Sequence, residues 1–198
     1  MKVIVIGATG TIGSAVAGQL EDRGDEVVRA GRRGPARVDL TDAASVDTLL
    51  ASVPDADAVV CCAASGRLTP LDSPSDADFT TGLDDKLLGQ VQLVRRAVHR
   101  LKDGGMVLLT GGTFDRPTPG GAFGALVNAG LVAFAQAAAH EMPRGIRLTV
   151  LSPGWVAETL TALGLDPADG TPVAEVARGY LAALTPGGPG THPAVGQP

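Results

Sequence analysis

The sequence has little of what a disulfide-stabilised or metal-binding protein needs. Only two cysteines occur among its 198 residues, Cys61 and Cys62, and they are adjacent. Because neighbouring residues of a strand point to opposite faces, a disulfide between them would be strained. We therefore expect two reduced thiols, which favours a cytoplasmic location. The three histidines, His99, His140 and His192, are too scattered to predict a metal site.

Long apolar runs and blocks of positive charge are also missing. We find no apolar run of bilayer length, and the chain opens with a strand-like segment instead of a signal peptide. The net charge is −5, with no cluster of basic residues, so neither nucleic acid nor membrane is expected as a partner. Hydrophobic residues make up 44% of the chain and charged residues 19%, which predicts one globular domain over 1–198.

What the sequence does contain is a glycine-rich turn near its start. The β-branched segment Lys2–Ile6 predicts a buried strand, and an apolar face that recurs every fourth residue predicts a helix after the turn. Such a turn offers free N–H groups and a positive helix dipole to a pyrophosphate. We expect Gly7 to permit the turn, Gly10 to admit a phosphate and Gly13 to bring helix and strand together. The other residues of this predicted cofactor site are Thr9, Thr11 and Ile12.

Two arginines follow the second predicted strand, Glu26–Ala30. At this position an acid binds the ribose 2′-hydroxyl of NAD, whereas an arginine binds the 2′-phosphate of NADP. Because Arg32 and Arg33 stand here without an acid, we predict NADP(H), with NAD as the alternative; solvated turn arginines are the structural alternative. Asp39 and Leu40 end a short third strand, 36–40, where a strand end meets adenine. Asp39 could equally act in capping beside Thr41, the expected cap of the next helix.

The rest of the chain alternates between strands and helices. Further strands are predicted over 57–62, 106–110 and 147–151, and helices over 43–53, 83–101, 122–142 and 171–184. This order predicts an α/β protein with a doubly wound, mostly parallel sheet and helices on both faces, the Rossmann architecture. The ligand is expected at the carboxyl ends of the strands, where the strand order reverses. The small residues Cys62, Ala63 and Ala64 leave room there for a flat ring system.

Two polar residues stand out on apolar helices. Lys86 falls beside the buried-facing side of helix 83–101, where it either extends to the rim or points its ammonium at a phosphate, ribose or substrate. Asn128 is the only polar residue in the first half of helix 122–142, which is apolar almost all round. A helix of that kind must be covered on every side, so we expect a homodimer or tetramer.

The last third of the chain carries two further expectations. Residues 157–170 mix apolar and acidic side chains and are expected to fold over the cleft as a lid. The segment 185–198 is rich in proline and glycine and is expected to be irregular, with Ala194-Val195 touching the sheet edge.

Together these features resemble the short-chain dehydrogenase/reductase superfamily. The residues that carry the resemblance are Gly7 to Gly13, Asp39-Leu40, the small residues after the fourth strand, the run from Val127 to Glu141, and Pro153-Gly154-Trp155-Val156. The resemblance covers Met1 to about Leu184, and the glycine spacing is that of the extended and atypical branches. It implies a dinucleotide cofactor to which Pro153, Gly154 and Val156 also contribute.

The usual catalytic residues of this superfamily are missing. The resemblance implies a serine, a tyrosine that protonates the substrate, a lysine that lowers the pKa of the tyrosine, and an asparagine. Their positions are occupied here by Gly111, Gly124, Asn128 and Lys86, respectively. Tyr180, the only tyrosine, lies on an apolar helix face and is expected to be a core residue. The chain thus resembles a short subgroup that keeps the cofactor fold without the usual active site.

Three functions are consistent with these residues. The first is an NADP(H)-dependent oxidoreductase for a small-molecule substrate, in which Lys86 and Asn128 hold ribose or substrate and Lys86, Thr110, Thr113 or water supply protons. The second is a sensor or partner protein that binds NADP(H) without catalysis. The third is an NADPH-dependent flavin or quinone reductase, because a redox-active acceptor ring needs no protein acid.

Overall fold

The computed structural model describes residues 1–63, 66–114, 116–185 and 194–195. Its strands are β1 Lys2–Ile6, β2 Glu26–Gly31, β3 Ala36–Arg37, β4 Ala58–Cys61, β5 Met106–Thr110, β6 Arg147–Pro153 and β7 Ala194–Val195. They form one parallel sheet, which confirms the predicted architecture, and the strand order is β3-β2-β1-β4-β5-β6-β7. The expected contact of residues 194–195 with the sheet edge is confirmed, because they pair with Ser152 and Pro153.

Helices cover both faces of this sheet. They are α1 Thr11–Asp22, α2 Ala43–Ser52, α3 Asp76–Phe79, α4 Gln90–Ala97, α5 Ala122–Ala138, α6 Ala157–Ala162 and α7 Val173–Leu184. A π-helix, Leu83–Gly89, leads directly into α4, and a 3-10 turn, Pro167–Asp169, follows α6. One core lies between the sheet and α1 with α7, and the other between the sheet and α2, α4 and α5.

Burial on both faces explains why β1 is apolar along its whole length. Val3 and Val5 pack toward α1 and α7, whereas Ile4 and Ile6 pack toward α2 and α4. A parallel strand covered on both faces has no solvent side and needs no polar alternation. The strand order reverses at β1, whose neighbours are β2 and β4. The glycine turn after β1 therefore lies at the switch point of the sheet, where ligands of such folds bind.

Several predicted boundaries were wrong. The third strand pairs only at Ala36–Arg37, because the chain turns where the Asp39 carbonyl accepts a hydrogen bond from Asp42 N–H at 3.1 Å. The fourth strand is Ala58–Cys61, one residue shorter than predicted at each end, and the sixth runs on to Pro153. The predicted helix 83–101 begins as the π-helix, and its α-helical part ends at Ala97. In addition, the short helix α3, which was not predicted, precedes the π-helix and is capped by the Ser75 side chain.

Helix α5 corrects the statement that no apolar stretch reaches bilayer length. With its last turn it spans Ala122–Glu141, 20 residues of mean hydropathy 1.6, and by length and composition it meets the requirement for a membrane-spanning helix. Part of this helix is core, because Val127, Leu131 and Ala135 are buried. Only 22% of its most apolar window is buried, so a large part of an apolar helix faces outward.

Candidate functional site

The turn after β1 has the geometry that its glycines predict. Gly7 has φ +82°, and a Cβ built on it would lie 2.5 Å from the backbone nitrogen of Ala63, so only glycine fits without strain. A Cβ on Gly13 would collide with the carbonyl oxygen of Gly7, which confirms that Gly13 lets α1 pack closely. The first hydrogen bond of α1 runs from Ser14 N–H to the carbonyl of Gly10. The N–H groups of Thr11, Ile12 and Gly13 therefore precede the intrahelical ladder.

A cavity of about 1120 Å³ opens beside this turn. It brings together residues from the ends of β2, β3 and β4 with a wall contributed by residues 77–85. Nine of the predicted cofactor residues line it: Gly7, Thr9, Gly10, Arg32, Arg33, Asp39, Leu40, Cys62 and Ala63. The predicted residue Ala64 lies outside the described residues. Thr11, Ile12 and Gly13 form the adjoining start of α1.

Three arginines line the end of the cavity beyond β2. Arg37, at the end of β3, joins Arg32 and Arg33, and within the described ranges none of the three forms an ion pair. Three guanidinium groups that form no ion pair there can bind a multiply charged anion. Sequence reasoning missed Arg37; the short β3 paired to the end of β2 is the feature that brings it there.

Asp39 lies in the cavity wall. It also has the second role that the sequence left open, a structural one beside Thr41. Its carboxylate accepts hydrogen bonds from the N–H of Thr41 at 2.9 Å and from the Thr41 hydroxyl at 2.8 Å. These bonds, with a smaller contribution from Arg32, hold the pKa of Asp39 below its usual value. Thr41 is not the cap of α2, because the Asp42 carboxylate accepts the hydrogen bond from Ala44 N–H.

The opposite wall of the cavity was not predicted. It comes from the turn between α3 and the π-helix, which contributes Thr80, Thr81 and Gly82, and from the first turn of the π-helix, which contributes Asp84 and Asp85. Gly82 adopts φ +99°, which lets the chain turn into the π-helix. The Asp85 carboxylate accepts a hydrogen bond of 2.7 Å from the N–H of Lys86. The turn of Thr80, Thr81 and Gly82 was the only sequence signal available for this wall.

Lys86 lies in the π-helix, half-buried and outside the lining of the cavity. Burial lowers the pKa of its ammonium, an effect that the nearby Asp85 only partly offsets. The fully buried Gln90 fixes this segment: its side-chain amide donates to the carbonyls of Lys86 at 2.7 Å and of Thr110 at 3.0 Å. Its oxygen accepts from the N–H of Thr110. Gln90 thus joins the backbone of Lys86 to the carboxyl end of β5, and π-turns of this kind frequently mark functional sites.

Asn128 also lies outside the cavity lining, against the chain that follows β5. It is only 7% exposed, and its Oδ1 has no hydrogen-bond partner among the described residues. A Cβ on Gly112 would lie 3.1 Å from its Nδ2, and a Cβ on Gly111 would lie 2.8 Å from the Ser152 hydroxyl. The two glycines thus make space that Asn128 and Ser152 fill. An unpartnered buried amide oxygen requires a donor, such as a hydroxyl or N–H of a ligand.

Thr110 was a wrong candidate for proton transfer. Its hydroxyl donates to the carbonyl of Cys61 at 2.6 Å and is 2.8 Å from the Tyr180 hydroxyl. Both side chains are buried on the face that packs against α1 and α7, which confirms that Tyr180 is a core residue. Burial raises the pKa of Tyr180 well above its usual value and that of Cys61 to about 12. Both cysteines are free thiols, as expected.

The remaining predicted residues lie at the carboxyl edge of the sheet but outside the lining of the cavity: Pro153 ends β6, and Gly154 and Val156 follow it. Val156 bridges to Thr171, whose carbonyl accepts a hydrogen bond from Ala157 N–H. This bridge joins the two ends of residues 157–170. The segment that was expected to form a lid is therefore a closed loop that contains α6 and the 3-10 turn. The Glu158 carboxylate adds a hydrogen bond from Val173 N–H.

Two pairs of aromatic rings lie near the start of α5. The rings of Phe114 and Trp155 are 6.1 Å apart at 61°, and those of Phe79 and Phe123 are 5.4 Å apart at 53°. Four of the six aromatic residues in the chain are therefore placed in one region. The side chain of Phe114 lies against Gly121 and Gly124, the second of which is the position of the tyrosine implied by the superfamily resemblance.

Comparison with known proteins identifies what this arrangement is similar to. A family model described as the NAD dependent epimerase/dehydratase family matches residues 3–113. Among solved structures, the protein lin1944 from Listeria innocua is 35% identical with a TM-score of 0.87, over 97% of this chain and 98% of that chain. A search of curated proteins found no match.

Two further structures share the fold at lower identity. A small-chain dehydrogenase in complex with NADPH is 23% identical with a TM-score of 0.83, over 96% of this chain and 94% of that one. A short chain dehydrogenase from Burkholderia cenocepacia J2315 in complex with NADP is 20% identical with a TM-score of 0.82, over 98% and 95%. At these identities the likeness establishes the fold.

Proposed function

The chain belongs to the NAD dependent epimerase/dehydratase family within the short-chain dehydrogenases/reductases, and on this premise we propose that it is an NADP(H)-dependent oxidoreductase with a non-standard active site. One observation carries the choice of cofactor: the cavity joins a phosphate-binding glycine turn to three arginines without ion-pair partners in the described ranges. Two proteins with the same fold hold NADPH and NADP, which supports this assignment.

The residues of the cleft fit such a cofactor. The N–H groups of Thr11, Ile12 and Gly13 would bind its pyrophosphate, because they point out of a helix N-terminus at the switch point of the sheet. The arginines would bind the 2′-phosphate of its adenosine half. The bound cofactor supplies hydride chemistry, while this chain orients it between the turn and the carboxyl ends of β5 and β6.

Lys86 and Asn128 are the proposed contacts to the nicotinamide ribose or to the substrate. The unpartnered Oδ1 of Asn128 would accept a hydrogen bond from a ligand hydroxyl, which removes the cost of burying it alone. Burial favours the neutral form of Lys86, so at the pH of the cell its ammonium is a better proton donor than an exposed lysine. Neither side chain reproduces the tyrosine and lysine of the superfamily, so the site is non-standard in this proposal.

The cofactor proposal is tested with the double variant Arg32→Ala, Arg33→Ala. Loss of charge-assisted hydrogen bonds to a phosphate should weaken NADPH binding by roughly 1.5–3 kcal/mol and change NADH binding far less. Isothermal calorimetry of the wild type and the variant with NADPH and NADH measures both affinities. Arg178→Ala is the matched control, because this arginine is 67% exposed on α7, away from the cavity.

Equal losses for NADPH and NADH would contradict the assignment to the 2′-phosphate and favour NAD. No binding of either nucleotide would contradict the proposed function as a whole. Tight NADPH binding without turnover of any carbonyl, quinone or flavin acceptor favours the second candidate, a non-catalytic NADP(H) sensor or partner protein. The observation behind that candidate is the absence of side chains at Gly111 and Gly124.

We also propose a cytoplasmic location and self-association. The free thiols of Cys61 and Cys62 suit a reducing compartment. The outward apolar face of α5 suits a second copy of the chain, whose test is given in the Discussion.

A further inference from the structure

The aromatic pair Phe114 and Trp155 lies at the carboxyl edge of the sheet, beside the start of α5. Phe114 follows the carboxyl end of β5 and Trp155 that of β6, so both lie on the ligand-binding edge of the sheet. Their rings meet edge to face, 6.1 Å apart, and both side chains are only partly buried. Part of each ring surface is therefore available for contact with a ligand.

The Phe114 ring is held against α5 one turn before Asn128. Its atoms lie 3.7 Å from a Cβ position on Gly121 and 3.5 Å from one on Gly124, which is ordinary van der Waals contact. Asn128 follows Gly124 by four residues and hence lies on the same helix face. An apolar ring and a buried amide are thus neighbours on one face of α5, next to the chain that follows β5.

The described residues of this region include no tyrosine to protonate a substrate oxygen, because Tyr180, the only tyrosine in the sequence, is buried in the core. Gly111, Gly112 and Gly124 have no side chains, and the Thr110 hydroxyl is hydrogen-bonded in the core on the opposite face of the sheet. An isolated ketone or aldehyde develops an alkoxide when it accepts a hydride and needs a proton at that moment. A conjugated ring delocalises the charge that arrives with the hydride, so it does not need a proton at that moment.

We propose that the acceptor is a planar, conjugated, redox-active ring of the quinone class, which packs on Phe114 and Trp155; this inference rests on the proposed function. The donor C–H bond of the reduced nicotinamide would break, and its hydride would form an O–H bond with one oxygen of the quinone, which thereby gains two electrons. One proton from water completes the hydroquinone, and NADP is the oxidised product. The chain supplies an aromatic surface and an amide, and no protein group has to give up a proton.

Binding is tested first, without NADPH, through the fluorescence of Trp155, which is the only tryptophan in the chain. Titration with 1,4-naphthoquinone should quench it saturably, whereas cyclohexanone at the same concentrations should not. Phe114→Leu keeps an apolar side chain but removes the ring, and should raise the quinone dissociation constant roughly fivefold. Phe134→Leu, in the second half of α5, is the control and should leave it unchanged. Quenching that is linear in quinone concentration and equal in the wild type and the two variants reflects collisional quenching without binding, and it would overturn the proposal.

Turnover then separates this inference from the proposed function. NADPH oxidation is followed with 1,4-naphthoquinone, FMN, benzaldehyde and cyclohexanone, after calorimetry has shown NADPH binding in each variant. Turnover of the quinone, but not of benzaldehyde or cyclohexanone, supports the inference, whereas turnover of FMN without the quinone would overturn the assignment to the quinone class. Turnover of cyclohexanone with none of the quinone overturns the inference and leaves the oxidoreductase standing. Absence of turnover with every acceptor overturns both this inference and the proposed oxidoreductase function. Loss of NADPH affinity in Phe114→Leu would instead assign the Phe114 ring to cofactor binding.

Discussion

Gly112, after β5, and Asn128, on α5, are in direct contact beside the carboxyl edge of the sheet. Gly112 leaves the space in which the Asn128 amide lies, and that amide is buried without a partner for its oxygen among the described residues. A residue that costs stability in the free protein is typical of a site built for a ligand. Removal of the Asn128 amide should therefore raise the stability of the free protein but weaken the binding of the ligand.

Asn128→Leu tests this at the residue scale. A side chain of similar size without polar atoms removes an unsatisfied buried group, so the free energy of unfolding should rise by about 1–2 kcal/mol. NADPH affinity should fall about tenfold, because the ligand loses a hydrogen bond. Urea unfolding and calorimetry measure the two effects. Thr149→Val is the matched control, since the Thr149 hydroxyl is also buried and unpartnered in the described part of the chain, and its removal should raise stability alone. A gain in stability with unchanged NADPH affinity would show that Asn128 does not touch the cofactor.

At the same scale, the sequence predicted residues whose role is fixed by the backbone. Gly7 and Gly13 were predictable because a positive φ and a close helix approach each require glycine. Arg37 was not, because its place in the cavity depends on the two-residue pairing between β2 and β3. The partners of Thr110 were also missed, since a hydroxyl at a strand end gives no sequence signal for the face to which it points.

At the scale of elements, the π-helix Leu83–Gly89 is the feature that sequence periodicity could not predict. Leucines at 83 and 87 fit an ordinary α-helix, and the extra residue per turn becomes visible only through its hydrogen bonds. Gln90 accounts for its position, because one buried amide is bonded both to the Lys86 carbonyl and to the backbone of Thr110. The strands were easier to predict, since each buried run has only one place in a doubly wound sheet.

Gln90→Leu should separate the π-helix from β5. It leaves the Lys86 carbonyl and two backbone groups of Thr110 without these bonds, so we expect a loss of roughly 2–4 kcal/mol in unfolding free energy. NADPH affinity should also fall, because Lys86 is no longer held beside the cleft. Gln92→Leu, two residues along α4, loses only side-chain contacts with Arg95 and Arg96 near the surface and should cost less than about 1 kcal/mol. Equal stabilities of the two variants in urea would show that the link from Gln90 to β5 is not needed.

For the whole molecule, α5 raises the question of what covers its outer face. One side of the helix packs on the sheet, while an exposed stripe runs along the other side at helical spacing: Ala122, Ala125, Leu126, Ala129, Ala133, Gln136 and Ala137. Small side chains at these positions allow a second helix to approach closely. Although the length and hydropathy of this helix also suit a membrane span, its buried residues belong to the same core as β5 and β6. We therefore propose that a second copy of the chain, related by a twofold axis, covers the stripe, because this would leave that core undisturbed.

Leu126→Lys tests self-association. Leu126 is 59% exposed at the centre of the stripe, and a lysine there places a charge opposite its own copy across a twofold interface. Sedimentation equilibrium should show a dimer or tetramer for the wild type and a monomer, or an association at least tenfold weaker, for the variant. Leu163→Lys is the control. Leu163 is also 59% exposed but lies in the closed loop after β6, so this substitution should leave association unchanged. A monomeric wild type would contradict the expected self-association, and equal dissociation of both variants would locate the interface elsewhere.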